Sequence, residues 1–345
     1  MTLPSDSLQH GTWFKLICGA SFQHLSSVRD LALLYTLAGA DCIDMAADPA
    51  VVRAAQAGIA LAQRQQPHSP SPWLMASFND GEDPHFRKAH LQPGSQCPAA
   101  CPQPCLRVCP PHAISWATQK IQIHQDLCYG CGRCEPVCPH GLIETLGHHR
   151  SVGNLLPELI RLGISAIEIH THIGRRDPFA QLWQQLIPWL HQLEVVSISF
   201  NDGPGLEAYL RDLVQIMDPL PQRLIWQTDG RPMSGDIGAG TTGLTLRLAQ
   251  KVLSFGLPGY VQLAGGTNGS TVSKLDPSLS IAGVAYGSYA RQQVAHLLDP
   301  LCEISQDPSI LSSGVEIARS LVQQIKQIQR DPLNGRIRDP VGPRA

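Results

Sequence analysis

Eight of the 11 cysteines in this 345-residue chain fall between Cys97 and Cys138, while Cys18, Cys42 and Cys302 are scattered among apolar neighbours. So tight a cluster needs a local cause. A disulfide framework belongs to short secreted proteins, whereas this chain is long and its first 20 residues carry no basic stretch ahead of their apolar residues, as a secretory signal would. The thiols are therefore expected to stay reduced, in the cytoplasm, and metal ligation becomes the leading explanation.

The second half of the block reads Cys128-Tyr-Gly-Cys131-Gly-Arg-Cys134-Glu-Pro-Val-Cys138-Pro139, which is the bacterial ferredoxin run C-x2-C-x2-C-x3-C-P. Three thiolates at those spacings wrap one iron–sulfur cubane, and the fourth, displaced past a proline, serves a neighbouring cluster. A partner run is thus required. It lies upstream as Cys97, Cys101, Cys105 and Cys109-Pro110, with Ala113-Ile114, Ile121 and Ile123 between the halves marking a short strand pair. The crossed rule assigns one cluster to Cys128, Cys131, Cys134 and Cys109, and the other to Cys97, Cys101, Cys105 and Cys138.

Two 4Fe-4S clusters are expected. The first run has C-x3-C spacings one residue longer than the ferredoxin pattern, so its cluster is the one expected to be labile and to fall to a 3Fe-4S form. Pro98, Pro102 and Pro104 argue that this run is an extended or turning loop, because proline removes an amide donor and clashes with a helical backbone. The competing reading is a four-cysteine zinc site, since C-x2-C pairs also hold zinc. Zinc sites use two pairs rather than two runs of four, and they need no Cys-Pro ending. Arg107, Arg133 and Glu135 read as solvated loop charges.

Outside the block, short β-rich runs alternate with amphipathic stretches, the pattern of β/α units around a parallel sheet. Eight strands are expected near Phe14-Cys18, Cys42-Met45, Trp73-Phe78, Ala166-His170, Val195-Phe200, Leu224-Gln227, Tyr260-Leu263 and Ile281-Ala285. That number predicts a (β/α)8 barrel over residues 1–83 and 149–330, with a ferredoxin-like insertion over 84–148 on the catalytic face and a flexible tail over 331–345. A doubly wound open sheet is the alternative.

Strand alternation turns Leu16, Ile43, Ile169, Ile198 and Trp226 toward the helices. The opposite face then carries Lys15, Asp44, Ser77, Glu168, His170, His172, Ser199, Asn201, Gln227, Asp229 and Gln262, a titratable lining that suggests a pocket. Two glycine-rich segments follow the last strands. Gly265, Gly266, Thr267 and Asn268 come after the seventh, and Gly287-Ser288 opens what reads as the last helix. In that order they resemble the phosphate grip of flavin-binding barrels, with Lys15 on the inner face, so FMN or another phosphorylated ligand is a candidate.

A net charge of -2 and charged residues at 16% leave no basic field for nucleic acid, and no apolar run is long enough to span a bilayer. The segments Trp13 to Phe22 and Leu37 to Met45, the double cysteine block and Gly265-Gly-Thr-Asn268 together resemble the cyanobacterial light-dependent period family over nearly the whole chain. That resemblance implies an iron–sulfur protein that conveys light-dependent cellular redox state to the circadian clock, with clock input or oscillator proteins, or redox carriers, as partners. The alternative is an oxidoreductase that passes electrons from the insert to a flavin at the barrel mouth.

Overall fold

Apolar and polar side chains alternate along the barrel strands, and this period of two sets which face each strand turns to the helices. The computed structural model describes residues 2–19, 25–81, 87–98, 100–109, 112–117, 120–125, 127–128, 132–147, 151–231, 240–276, 278–298 and 304–328. A short helix α1 (Pro4–Gln9) precedes β1 (Trp13–Ile17), followed by α2 (Leu25–Ala38), β2 (Cys42–Ala46), α3 (Pro49–Gln65) and β3 (Trp73–Asn79). An excursion then contains β4 (Arg87–Leu91), α4 (Pro104–Val108), β5 (Ile114–Ala117), β6 (Lys120–Ile123) and β7 (Ile143–Gly147). The β/α alternation resumes with α5 (Val152–Arg161), β8 (Ala166–His170), α6 (Arg176–Leu186), β9 (Val195–Asn201), α7 (Leu206–Ile216) and β10 (Leu224–Asp229). It ends with α8 (Thr242–Ser254), β11 (Tyr260–Ala264), β12 (Gly283–Tyr286), α9 (Ser288–Val294) and α10 (Pro308–Lys326).

Eight parallel strands close a barrel in the order β1-β12-β11-β10-β9-β8-β3-β2. The pairing of Trp13–Leu16 with Gly283–Tyr286 joins first strand to last, which removes the open-sheet alternative. Leu16, Ile43, Ile169, Ile198 and Trp226 are buried against the helices, as alternation requires. The floor of the barrel is a separate apolar layer of Trp13, Cys42, Met75, Ala166, Val195 and Ile225, capped by Leu8 of α1.

The excursion leaves the barrel at the C-terminal end of β3 and has its own sheet pairs, β4 with β7 and β5 with β6, both antiparallel. Its core is small: Ala89, Ala113, Ile114, Ile121 and Ile143 pack around Cys105, Cys109, Cys128 and Cys134. The boundaries drawn at 84 and 148, and the tail 331–345, lie outside the described residues.

Two expectations need correction. The first cysteine run is not loop throughout, because Pro104–Val108 makes one turn of helix with Pro104 at its start. Proline is tolerated there, since a first-turn amide has no helical partner to lose. Gly287-Ser288 opens α9, a seven-residue helix that is not the last, because the longer α10 follows it. Among the described residues no helix is long and apolar enough to cross a membrane.

Helices α2 and α3 touch at backbone distance: a Cβ on Gly58 would stand 2.0 Å from the carbonyl oxygen of Arg29. Alanine is favoured over glycine inside a helix by about 1 kcal/mol, but overpacking costs about 1–3 kcal/mol. Gly58→Ala is expected to lower stability by roughly 1–2 kcal/mol in urea unfolding. An unchanged or raised midpoint would show that the two helices are not held at this separation.

Candidate metal centre and polar barrel interior

The two Cys-Pro sites share one local geometry. The amide of Ala113 donates to Cys109 Sγ at 3.2 Å, and the amide of Leu142 donates to Cys138 Sγ at 3.3 Å, four residues on in each case. The internal repeat read from spacing is thus repeated in hydrogen bonding. Burial opposes ionisation of Cys138, yet the amides of Leu142, His140, Ile143 and Gly141 together hold its thiol below the ordinary range. Donors of this kind stabilise a thiolate ligand and tune a cluster.

Cys138 lies in the electrostatic neighbourhood of the first run, although it belongs to the second in sequence. Burial raises Cys97, and the charges of Cys101, Cys105 and Cys138 raise it further. Cys105 is raised by burial and, against the amide of Leu106, by Cys138 and Cys101. These mutual charge effects mark Cys97, Cys101, Cys105 and Cys138 as one candidate ligand set, while among the described residues no three His, Cys, Asp or Glu side chains are placed to hold a single metal ion. Cys109, Cys128 and Cys134 are buried together in the core of the excursion, whereas Cys97 and Cys138 are half-exposed. Cys131 lies outside the described residues, as does Cys302. Cys18 is remote from this chemistry: burial pushes its thiol up to about 12, and burial likewise raises Cys42 in the barrel floor.

Above that floor the barrel interior is a connected polar layer. Lys15 Nζ donates to the Glu168 carboxylate and stands 3.4 Å from Asp44 Oδ2, all three groups being buried. Glu168 also accepts from Gln227 Nε2 at 2.8 Å and Ser197 Oγ at 3.1 Å. Gln262 Nε2 donates to Gln227 Oε1 and Trp13 Nε1 to Gln262 Oε1, both at 2.6 Å. Ser77 Oγ donates to Asp44 Oδ1 at 2.6 Å. Nearer the mouth, Ser199 Oγ donates to Asp229 Oδ2 at 2.5 Å and pairs with His170 Nδ1 at 3.0 Å, while Asn201 Nδ2 donates to the Asp229 carbonyl at 2.9 Å.

Burial would strip Lys15 of its proton, but the charges of Glu168 and Asp44 outweigh it and hold the ammonium firmly. Against its own burial, Glu168 is held low by Lys15 and then His170. Asp44 is pushed up to about 6, because burial outweighs the pull of Lys15. Asp229 also reaches about 6, through burial and the charge of Glu168. The interior is a satisfied network with a fixed cation.

Ten of the eleven polar residues assigned to the inner face join this layer. His172 does not: β8 ends at His170, alternation stops there, and His172 is exposed. Ser197 and the indole of Trp13 were missed, although Ser197 lies two residues before Ser199 on the same strand and so shares its face.

The glycine segments occupy consecutive barrel units but serve each other more than a ligand. Gly265 and Gly266 adopt φ of 60° and 96°, and a Cβ on Gly265 would meet the Arg231 carbonyl at 2.6 Å. Their carbonyls accept from Thr245 at 2.5 Å and Thr241 at 2.6 Å. Thr267 Oγ1 donates to the Ala285 carbonyl at 2.7 Å. The Asn268 amide donates to Thr271 Oγ1 at 2.8 Å, and the Ser270 amide to Asn268 Oδ1 at 2.9 Å. At Gly287-Ser288 the Arg291 guanidinium donates to Ser288 Oγ at 3.1 Å and the Ile17 carbonyl at 2.9 Å. Of the six residues expected to grip a phosphate, Asn268 has its amide engaged within the segment, and Lys15 is held by carboxylates below the mouth.

Comparison with known proteins agrees with the cysteine block and extends beyond it. The family model of the LdpA Fe-S cluster-binding domain matches residues 97–149, and that of the light dependent period A C-terminal domain matches residues 158–324. A Light dependent period A protein of Synechococcus elongatus is 52% identical over 338 residues, covering 94% of each chain. Hydrogenase-4 component A of Escherichia coli is 50% identical over 44 residues, 13% of this chain and 22% of that protein. Among solved structures, GGGPS from Thermoplasma volcanium aligns with a TM-score of 0.43 at 11% identity, covering 96% of this chain and 100% of its own.

Removing one member of a buried ion pair costs about 3–5 kcal/mol, because its partner is left charged and alone. Lys15→Met is expected to lose about that much at pH 8. The loss should shrink at pH 5, where Asp44 and the orphaned Glu168 can take up protons. In the wild type, Asp44 and Asp229 titrate near 6 in the fold against an ordinary 3.8. Their contribution is therefore present below about pH 4 and lost as pH rises through 6. Urea unfolding at both pH values checks this, and a penalty independent of pH would contradict the interior network.

Proposed function

The chain belongs to the light-dependent period A family of proteins with an iron–sulfur cluster-binding domain, and from that membership we propose that it is a redox sensor acting on light-dependent period control. The charge effects that link Cys138 to Cys97 and Cys105 carry this reading, because they match the crossed ligand set expected of a two-cluster ferredoxin. Cys109, Cys128, Cys131 and Cys134 would hold the second cluster. Such clusters supply one-electron exchange. The chain's own part is to fix the thiolates, to donate the Ala113 and Leu142 amides to sulfur, and to shield the second set in an apolar core.

The half-exposed Cys97 and Cys138 make the first cluster the more accessible to oxygen, and the longer spacing of its run supports a 3Fe-4S form there. Partners of this reading are clock input or oscillator proteins, or redox carriers, in the cytoplasm. It requires no substrate turnover.

The flavin-linked oxidoreductase is the weaker reading, since the Asn268 amide is engaged with Thr271 and Lys15 is held by Glu168 and Asp44. Anaerobic titration with FMN is expected to leave flavin absorbance and fluorescence unchanged; saturable quenching at micromolar FMN would reinstate it.

Anaerobically purified protein is expected to contain iron and acid-labile sulfide for two clusters. Cys131→Ser should remove the signal of the cluster that survives air longer, and brief air exposure should change the other one first, as followed by electron paramagnetic resonance. Zinc without acid-labile sulfide would end the reading.

A further inference from the structure

Among the described residues the excursion and the barrel have separate apolar cores, with no residue shared between them. Among the described residues no strand or helix of the excursion packs extensively on a barrel element. Between the two cores lies an ion pair shielded from water. Lys88 Nζ on β4 stands 2.5 Å from Asp48 Oδ2, with both side chains buried. Asp48 caps α3, accepting the Ala50 amide at 2.9 Å on its other oxygen, and its carbonyl accepts the Val52 amide at 2.9 Å.

The same ammonium donates to the carbonyl of Gln125 at 2.5 Å, and the Gln125 side chain returns a hydrogen bond to the Ala89 carbonyl at 2.7 Å. Gln125 belongs to the turn that delivers Cys128, whose amide donates to the His124 carbonyl at 3.0 Å. One buried cation therefore holds the cysteine turn on one side and the cap of a barrel helix on the other. Asp48 also closely follows β2, whose Asp44 faces Lys15.

We infer that Lys88 couples the state of the Cys128 turn to the first turn of α3, so that loosening of the cysteine loop is felt at the barrel's C-terminal face. This rests on the iron–sulfur reading and names the route by which the cluster domain addresses the scaffold. The physical basis is that a desolvated ammonium loses a hydrogen-bond partner only at a cost. If the Gln125 carbonyl moves away, the buried ammonium loses one of its partners, and a shift of Lys88 toward it weakens the hold on Asp48. The α3 cap, which depends on the same carboxylate, then frays. Contacts spread over a broad apolar interface would not respond to one loop in this way.

The test is amide hydrogen exchange in the full chain under anaerobic conditions, before and after iron removal by a chelator, with iron and acid-labile sulfide measured in each sample. In the wild type, iron removal is expected to speed exchange in residues 49–55 about tenfold while β9 and β10 stay protected. In the double variant Lys88→Met with Asp48→Asn, those residues should exchange at one rate with or without iron. Asparagine keeps the cap and methionine fills the space, so the buried charges leave together. Should that variant fail to take up iron, Asp48→Asn alone serves, with the same expectation.

Wild-type exchange indifferent to a confirmed loss of iron would overturn the inference alone, as would a variant that keeps the tenfold response. Absence of iron and sulfide from the anaerobic protein would instead remove the iron–sulfur reading and this inference with it.

Discussion

Thiolates gathered in a small volume repel one another, and the excursion is built around that repulsion. Its apolar core amounts to a few alanines and isoleucines set among cysteine sulfurs, too little to fold a segment of this size on burial alone. Cys97 and Cys105 are raised by burial and by their neighbours' charge. A cationic iron–sulfur core bound there would convert that electrostatic cost into cohesion and tie folding of the segment to cluster binding. The amides at Cys109 and Cys138 fix two sulfurs in matching geometry, which is why the repeat survives the unequal spacing of the two runs.

The barrel stands in a different relation to charge. Lys15 is locked between Glu168 and Asp44, and the surrounding glutamines and serines satisfy what remains. An ammonium so firmly protonated is no nucleophile, whereas Asp44 and Asp229 are pushed up to about 6 by burial. The interior instead specifies one closed arrangement of eight strands. The Lys88–Asp48 pair meets this barrel at the first turn of α3.

Much of this was legible from residue order. Alternation in runs such as Lys15-Leu16 and Glu168-Ile169-His170 placed strands and faces, because a parallel barrel demands apolar residues on its outer side. The cysteine spacing marked residues 97–138 as cluster-binding, and the family model of an Fe-S cluster-binding domain matches there, because cluster chemistry tolerates few spacings. What escaped depended on tertiary meetings. His172 kept the strand's parity but lay past its end, and Pro104 suited a helix start as well as a break. The glycines at 265 and 266 read in sequence as a phosphate grip; their positive φ and the bonds of the neighbouring Asn268 and Ser270 amides to Thr271 and Asn268 emerge only in the fold. Nothing in the order of residues links Lys88 to Asp48, since a buried ion pair across two cores has no periodic signature.

The central claim is that the two cysteine runs exchange their last ligands. It is tested most directly by electron paramagnetic resonance of anaerobically reduced Cys138→Ser beside Cys109→Ser. The account predicts that Cys138→Ser perturbs the cluster held by Cys97, Cys101 and Cys105, leaving the Cys128 cluster intact, and that Cys109→Ser does the reverse. Loss of the Cys128 cluster signal on replacing Cys138, with the other unchanged, would contradict it.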